Sequence, residues 1–179
     1  MHNRKDIHKD IHEDTYKDIH KDTEPNDTTP RQYHIRPGDA KDMADLLRLI
    51  NDLAAFERAL EEVDNTETGL LADWQHDSFD FLVAEVAGQV VGFALYYPRY
   101  STWKGRCYYL EDLYVQPAFR GQGIGLALIQ ATAQEARNAG AVRLDWQVLD
   151  WNNLAVTFYE QLGAVIEKEW WNCKWQLEV

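Results

Sequence analysis

A chain of 179 residues, 45% hydrophobic and 27% charged, has enough apolar side chains for one domain with a real core and too few for two comfortable ones. Its formal net charge of −12 argues against nucleic acid as a partner, because phosphate binding concentrates Lys and Arg. No apolar run approaches the roughly 20 residues of a membrane span, the N-terminus is too polar for a secretory leader, and Cys107 and Cys173 form no CxxC pair; the chain reads as cytoplasmic, without metal and without a membrane partner.

Residues 1–32 stand apart as a low-complexity tail. They carry a degenerate four-residue repeat, Lys5-Asp6-Ile7-His8, Lys9-Asp10-Ile11-His12 and Lys17-Asp18-Ile19-His20, followed by linker chemistry from Glu24 to Pro30. Its isoleucines offer too little apolar surface to offset the entropy of ordering, so a solvated, disordered segment is expected. His8, His12 and His20 are the alternative signal, a metal or partner site.

The folded part, 33–179, opens with a short strand at Tyr33–Arg36, stopped by Pro37-Gly38. Asp39 is placed to cap a helix in which Met43, Leu46, Leu47, Ile50 and Leu53 recur at helical spacing. A second short helix is expected from Glu67 to Asp73. Phe81–Val86 and Val90–Tyr97 read as a hairpin around Ala87-Gly88-Gln89, and after a loop from Pro98 to Gly105 a third strand runs from Cys107 to Val115. A helix follows from Ile124, closed by Asn138-Ala139-Gly140; then a strand at Arg143–Val148, a helix at Asn153–Leu162, and a closing strand pair at Ala164–Lys168 and Trp170–Leu177. This order predicts an α/β (α+β) chain with a mixed central sheet and helices on both faces, and argues against a doubly wound nucleotide-binding domain.

Between the third strand and the next helix stands Arg120-Gly121-Gln122-Gly123-Ile124-Gly125. Three glycines let the backbone turn tightly and aim its N–H groups at one point, and the helix start adds partial positive charge, which suits an anion such as a pyrophosphate. A tight structural turn would look the same from spacing alone, and no Gly-Lys-Ser/Thr follows to make it a Walker loop. Arg-x-x-Gly-x-Gly after Leu113-Tyr114-Val115, with Tyr109-Leu110-Glu111-Asp112, Trp151-Asn152, Phe158-Tyr159 and Gly163-Ala164, resembles the GNAT acetyltransferase superfamily and, within it, the diamine N-acetyltransferases. Tyr100 to Arg106 and Val148 to Asn152 resemble the thialysine N-ε-acetyltransferase branch most. The likeness runs from about Tyr33 to Trp175.

The resemblance implies the GNAT acyl-CoA N-acyltransferase fold, acetyl-CoA as co-substrate, no metal, a small-molecule amine as acceptor, and a homodimer. It implies that Leu113, Tyr114 and Val115 pair with the pantetheine arm and that Arg120, Gly121, Gln122, Gly123, Ile124, Gly125 and Leu126 hold the pyrophosphate. Asn152, Asn153, Leu154, Ala155 and Tyr159 are expected on the coenzyme's other side. Tyr159 matches the family's general acid, and Glu111 and Glu57 match a carboxylate pair that passes the amine's proton to water. Phe56, Glu57, Trp103, Glu111, Asp112 and, more loosely, Glu169 line the amine channel. An alkylammonium has a pKa near ~10.4, so such a site must both attract the cation and accept a proton, and carboxylates do both. Glu111 and Asp112 are adjacent on a strand, so only one faces a given pocket unless a bulge intervenes. Ser101 stands where the polyamine-specific branch has aspartate, which favours thialysine, lysine-like amines or short diamines over spermidine and spermine. Polyamine or peptide acetylation, and a coenzyme-binding module without activity, are the alternatives.

Overall fold

A computed structural model describes residues 32–177; the histidine repeat and the other features expected of residues 1–31 lie outside the described residues. The chain divides into two compact units, one ending at Trp146 and one starting at Gln147.

In the first unit five strands form one sheet in the order β1-β2-β3-β4-β5: β1 (Tyr33–Pro37), β2 (Asp80–Val86), β3 (Gln89–Ser101), β4 (Gly105–Val115) and β5 (Leu144–Asp145). The first four are antiparallel neighbours and β5 runs parallel to β4, so the sheet is mixed. The β2–β3 hairpin closes through Ala87 and Gly88, both at positive φ (50° and 82°), the pairing a two-residue type I′ turn requires. Leu82, Val83, Ala84, Phe93 and Ala94 are all wholly buried although successive side chains point to opposite faces. Both faces of the central strands are therefore covered, as expected for a sheet between two helical layers.

One layer is α1 (Met43–Phe56) with α2 (Glu67–Gln75). Met43, Leu46 and Leu49 of α1 and Leu70 of α2 pack with Phe81, Val83, Phe93, Leu95 and Tyr114. Asp39 starts this layer: its carboxylate accepts from Lys41 N at 2.8 Å, within a capping box completed by Asp42. Asp42 in turn takes a two-pronged ion pair from Arg36 Nη1 and Nη2 (2.6 and 2.8 Å), fixing the helix entrance to β1. The other layer is α3 (Ile124–Asn138), whose Ala127, Leu128, Ala131 and Thr132 are buried against β1 to β4.

Three differences from the expected elements go beyond a shift of a residue or two. The third β-strand of the sheet runs through Pro98 to Ser101, because β2 ends opposite Tyr96 and a residue without an N–H loses nothing beyond that point. The Arg143–Val148 strand is cut to Leu144–Asp145. In the second unit, α4 (Asn153–Gln161) forms, with Gly163 at φ 80° ending it, but residues 164–177 form no strand pair. From Glu167 to Leu177 every side chain is exposed, including Trp170, Trp171 and Trp175, and two short strands with no face to bury do not hold.

Candidate active site

The glycine motif bridges β4 and α3. Gly121 and Gly123 both sit at positive φ (74° and 81°), and Gly123 is the residue on which α3 starts, with its carbonyl accepting from Ala127 N at 2.9 Å. The N–H groups of the first turn, Ile124 to Leu126, have no acceptor within the helix and point out of its N-terminal end, which fits an anionic group. Arg120 turns the other way. Its Nε donates to Val115 O at 2.8 Å, and its guanidinium lies over the rings of Phe56 and Tyr114, 5.3 and 5.5 Å from their centroids. The arginine therefore ties the loop to the end of β4 and to the end of α1.

Beside this loop β4 has an open edge. Its parallel pairing with β5 involves only Tyr108 and Tyr109. From Leu110 to Val115, β4 is bonded to β3 on one side and to no other strand among the described residues. The backbone from Leu113 to Val115, apart from the Val115 carbonyl that Arg120 occupies, is thus placed where an extended chain can add itself to the sheet.

The carboxylates are gathered by a bulge. Tyr96 pairs with Leu110 and Leu95 with Asp112, leaving Glu111 as the extra residue on β4. Alternation is interrupted there. Asp112 shares a face with Leu95, and Tyr109 shares that face with Tyr97, whose ring lies 5.5 Å away. Glu111 comes to the same face, where its Oε2 accepts from the Tyr97 hydroxyl at 2.8 Å. The alternation allowed only one of Glu111 and Asp112 on a face unless a bulge intervened; the bulge is present, and both lie there. Glu57 follows the last residue of α1, its N–H bonded to Leu53 O at 2.9 Å.

The electrostatics of this face are those of crowded acids. The Asp112 carboxyl is pushed up to about 7, first by burial and then by the charges of Glu111 and Glu57. Glu57 is raised above its ordinary value by partial burial. Tyr97 and Tyr109 are raised too, each chiefly by burial and then by Glu111. Such a face favours a cation and holds, in Asp112, an acid that changes charge near neutral pH.

The remaining expected residues fall in three places. Phe56 is half exposed under Arg120, and Trp103 is exposed at the tip of the β3–β4 hairpin. The Ser101 hydroxyl accepts from Trp103 N and Lys104 N (3.3 and 3.2 Å), so it shapes that tip. In the second unit Asn152 caps α4, its Oδ1 accepting from Ala155 N at 3.2 Å, and Asn153, Leu154 and Ala155 form the first turn. Tyr159 is buried with its ring 5.2 Å from that of Phe158. Glu169 is exposed in the segment without secondary structure. Tyr97 was missed by the sequence reading, although alternation along β3 placed it opposite Tyr109 and two residues from Leu95. Among the described residues no cluster of His, Cys, Asp or Glu could hold a metal, and no helix is long and apolar enough to cross a membrane.

Comparison with known proteins bears on the family and the fold. The family described as Acetyltransferase (GNAT) family matches residues 44–164. The chain is 42% identical over 151 residues to thialysine N-epsilon-acetyltransferase of Bos taurus, covering 78% of this chain and 89% of that protein. Among solved structures, an aminoglycoside acetyltransferase from an uncultured soil metagenomic sample superposes with a TM-score of 0.70 at 22% identity, covering 82% of this chain and 97% of that one. An aminoglycoside N-acetyltransferase in complex with CoA gives 0.66 at 20% identity, over 80% and 95% of the two chains.

Proposed function

Because this chain belongs to the acetyltransferase (GNAT) family and is an acetyl-CoA-dependent N-acetyltransferase, we propose that its acceptor is the primary amine of a small cationic substrate: thialysine, a lysine-like amino acid or a short diamine. The observation that carries this reading is the bulge at Glu111, which sets two adjacent carboxylates on one face near Glu57. When bound, acetyl-CoA supplies an activated acetyl thioester. The glycine loop, with its outward N–H groups from Ile124 to Leu126, is suited to the diphosphate, and the open edge of β4 to the amide-bearing arm.

At neutral pH the substrate arrives as an ammonium. The acidic face attracts it, and a carboxylate must then receive its proton, directly or through water, before nitrogen can attack. Glu111 and Glu57 are assigned that relay, and Asp112 the negative potential that selects the cation. The Tyr159 hydroxyl is assigned the proton that the departing sulfur receives. Phe56 and Trp103 are assigned to the amine channel, with Glu169 as an outlying member. Arg120 is assigned to hold the coenzyme loop in place through Val115, and Asn152 with the first turn of α4 to the coenzyme's far side. A homodimer in the cytoplasm completes the reading, supported by the exposed tryptophans of the second unit, which another copy would cover.

A thiol-release assay with acetyl-CoA across thialysine, lysine, putrescine, spermidine and a lysine peptide tests the assignment. Highest kcat/KM on thialysine or lysine is expected. Preference for spermidine would transfer the chain to polyamine acetylation, preference for the peptide to protein acetylation, and no turnover of any amine would overturn the reading.

A further inference from the structure

One residue of the acidic face has a defined partner that no expectation included. Tyr97 donates its hydroxyl to Glu111 Oε2 at 2.8 Å, and Glu111 is the bulged residue, the one whose backbone lacks a cross-strand partner to fix its direction. Behind Tyr97 the support continues. Its ring lies 5.5 Å from that of Tyr109, and the Arg99 guanidinium lies over Tyr109 at 5.3 Å from the centroid. Arg99 Nη1 in turn faces Asp145 Oδ2 on β5 at 3.9 Å. The column Asp145–Arg99–Tyr109–Tyr97 runs across the sheet and ends on one oxygen of one carboxylate.

We propose that Tyr97 is a positioning residue for acetyl transfer: its hydroxyl holds Glu111 Oε2 so that Oε1 alone is presented to the ammonium or to the water that takes its proton. A bulged glutamate on a sheet surface otherwise samples several rotamers, and each wrong one takes the acceptor oxygen out of reach. Asp112 needs no such support, since its direction is set by its pairing opposite Leu95. The arrangement thus makes one acid rigid and single-ended beside another that is half-buried and without a hydrogen-bond or ion-pair partner among the described residues. A planar, single-ended acceptor suits a primary ammonium that must give up one of its three protons before nitrogen attacks, in a site that must hold the cation and then discharge it.

This inference rests on the assignment of Glu111 to the proton relay, and a double-mutant cycle separates the two. Tyr97→Phe removes one oxygen and keeps the ring stack. With the best amine, its kcat is expected to fall about 10- to 100-fold, the scale of one hydrogen bond to a charged group, with the KM for acetyl-CoA and the melting temperature unchanged. In a Glu111→Gln background the same substitution is expected to add less than about 3-fold, because the two residues act as a unit. Full activity of Tyr97→Phe beside a crippled Glu111→Gln would overturn the positioning role alone. So would additive losses in the double variant, which mean that Tyr97 acts by another route. Full activity of Glu111→Gln would overturn the relay assignment and, with it, this inference.

Discussion

Replacing Asp112 by Asn should make the protein more stable above neutral pH while harming catalysis. The Asp112 carboxyl titrates at about 7 in the folded chain and near ~3.9 when unfolded. The folded state therefore binds this proton more tightly. The stability that comes with it is complete below about pH 4 and is lost as pH rises to about 7, because above that the folded chain must carry a buried charge beside Glu111 and Glu57. One proton changes stability by about 1.4 kcal/mol per pH unit, so three units set a ceiling of about 4 kcal/mol. Solvent reaches part of the side chain and screens the neighbouring acids, which brings the expected loss to about 2 kcal/mol. An asparagine has no such loss. Urea denaturation of both proteins at half-unit steps from pH 5 to 8 should give curves that diverge as pH rises, reaching about 2 kcal/mol, or roughly 4–8 °C in melting temperature, in favour of the variant at pH 8. The KM for the amine should rise in the same protein. Curves that stay parallel across the range would refute the argument, since they would mean that Asp112 is not held against its charge.

Gly123→Ala forces a side chain into the left-handed conformation at the start of α3, at a cost of about 1–2 kcal/mol, and should raise the KM for acetyl-CoA while leaving that for the amine unchanged. Gly38→Ala would set a methyl group 2.0 Å from Cε2 of Phe81, which is buried, while the Gly38 N–H is bonded to Phe81 O at 2.8 Å; a loss of about 1–3 kcal/mol is expected in thermal denaturation, with no change in KM for either substrate of the protein that remains folded. Tyr159→Phe should lower kcat far more than it raises the KM for acetyl-CoA, and equal kcat in both proteins would remove that hydroxyl from the mechanism.

Much of the scaffold was legible because local chemistry and burial agree. The Ala87-Gly88 turn, the helical spacing from Met43 to Leu53, and the glycines before Ile124 each require one conformation, and each adopts it. The bulge at Glu111 was not legible, because it is a mismatch of register between β3 and β4, and register belongs to a pair of strands. The packing of the Arg120 side chain was not legible either, because it depends on Phe56, far off in the chain, and on the Val115 carbonyl. The closing strand pair expected at Ala164–Lys168 and Trp170–Leu177 does not form, because a strand needs one face covered, and in Trp170–Leu177 both are exposed.

The half-bonded stretch of β4 has a consequence for handling the protein. A strand with one row of amides and carbonyls unmatched invites the same row of another molecule, the first step of edge-to-edge aggregation. The run from Leu110 to Val115 is apolar except for Glu111 and Asp112, so those two acids also serve as gatekeepers against self-pairing. Their charge is weakest when Asp112 is protonated. Concentrated, ligand-free preparations are therefore expected to scatter light sooner at pH 6 than at pH 8, and saturating coenzyme is expected to suppress the difference by filling the vacant row.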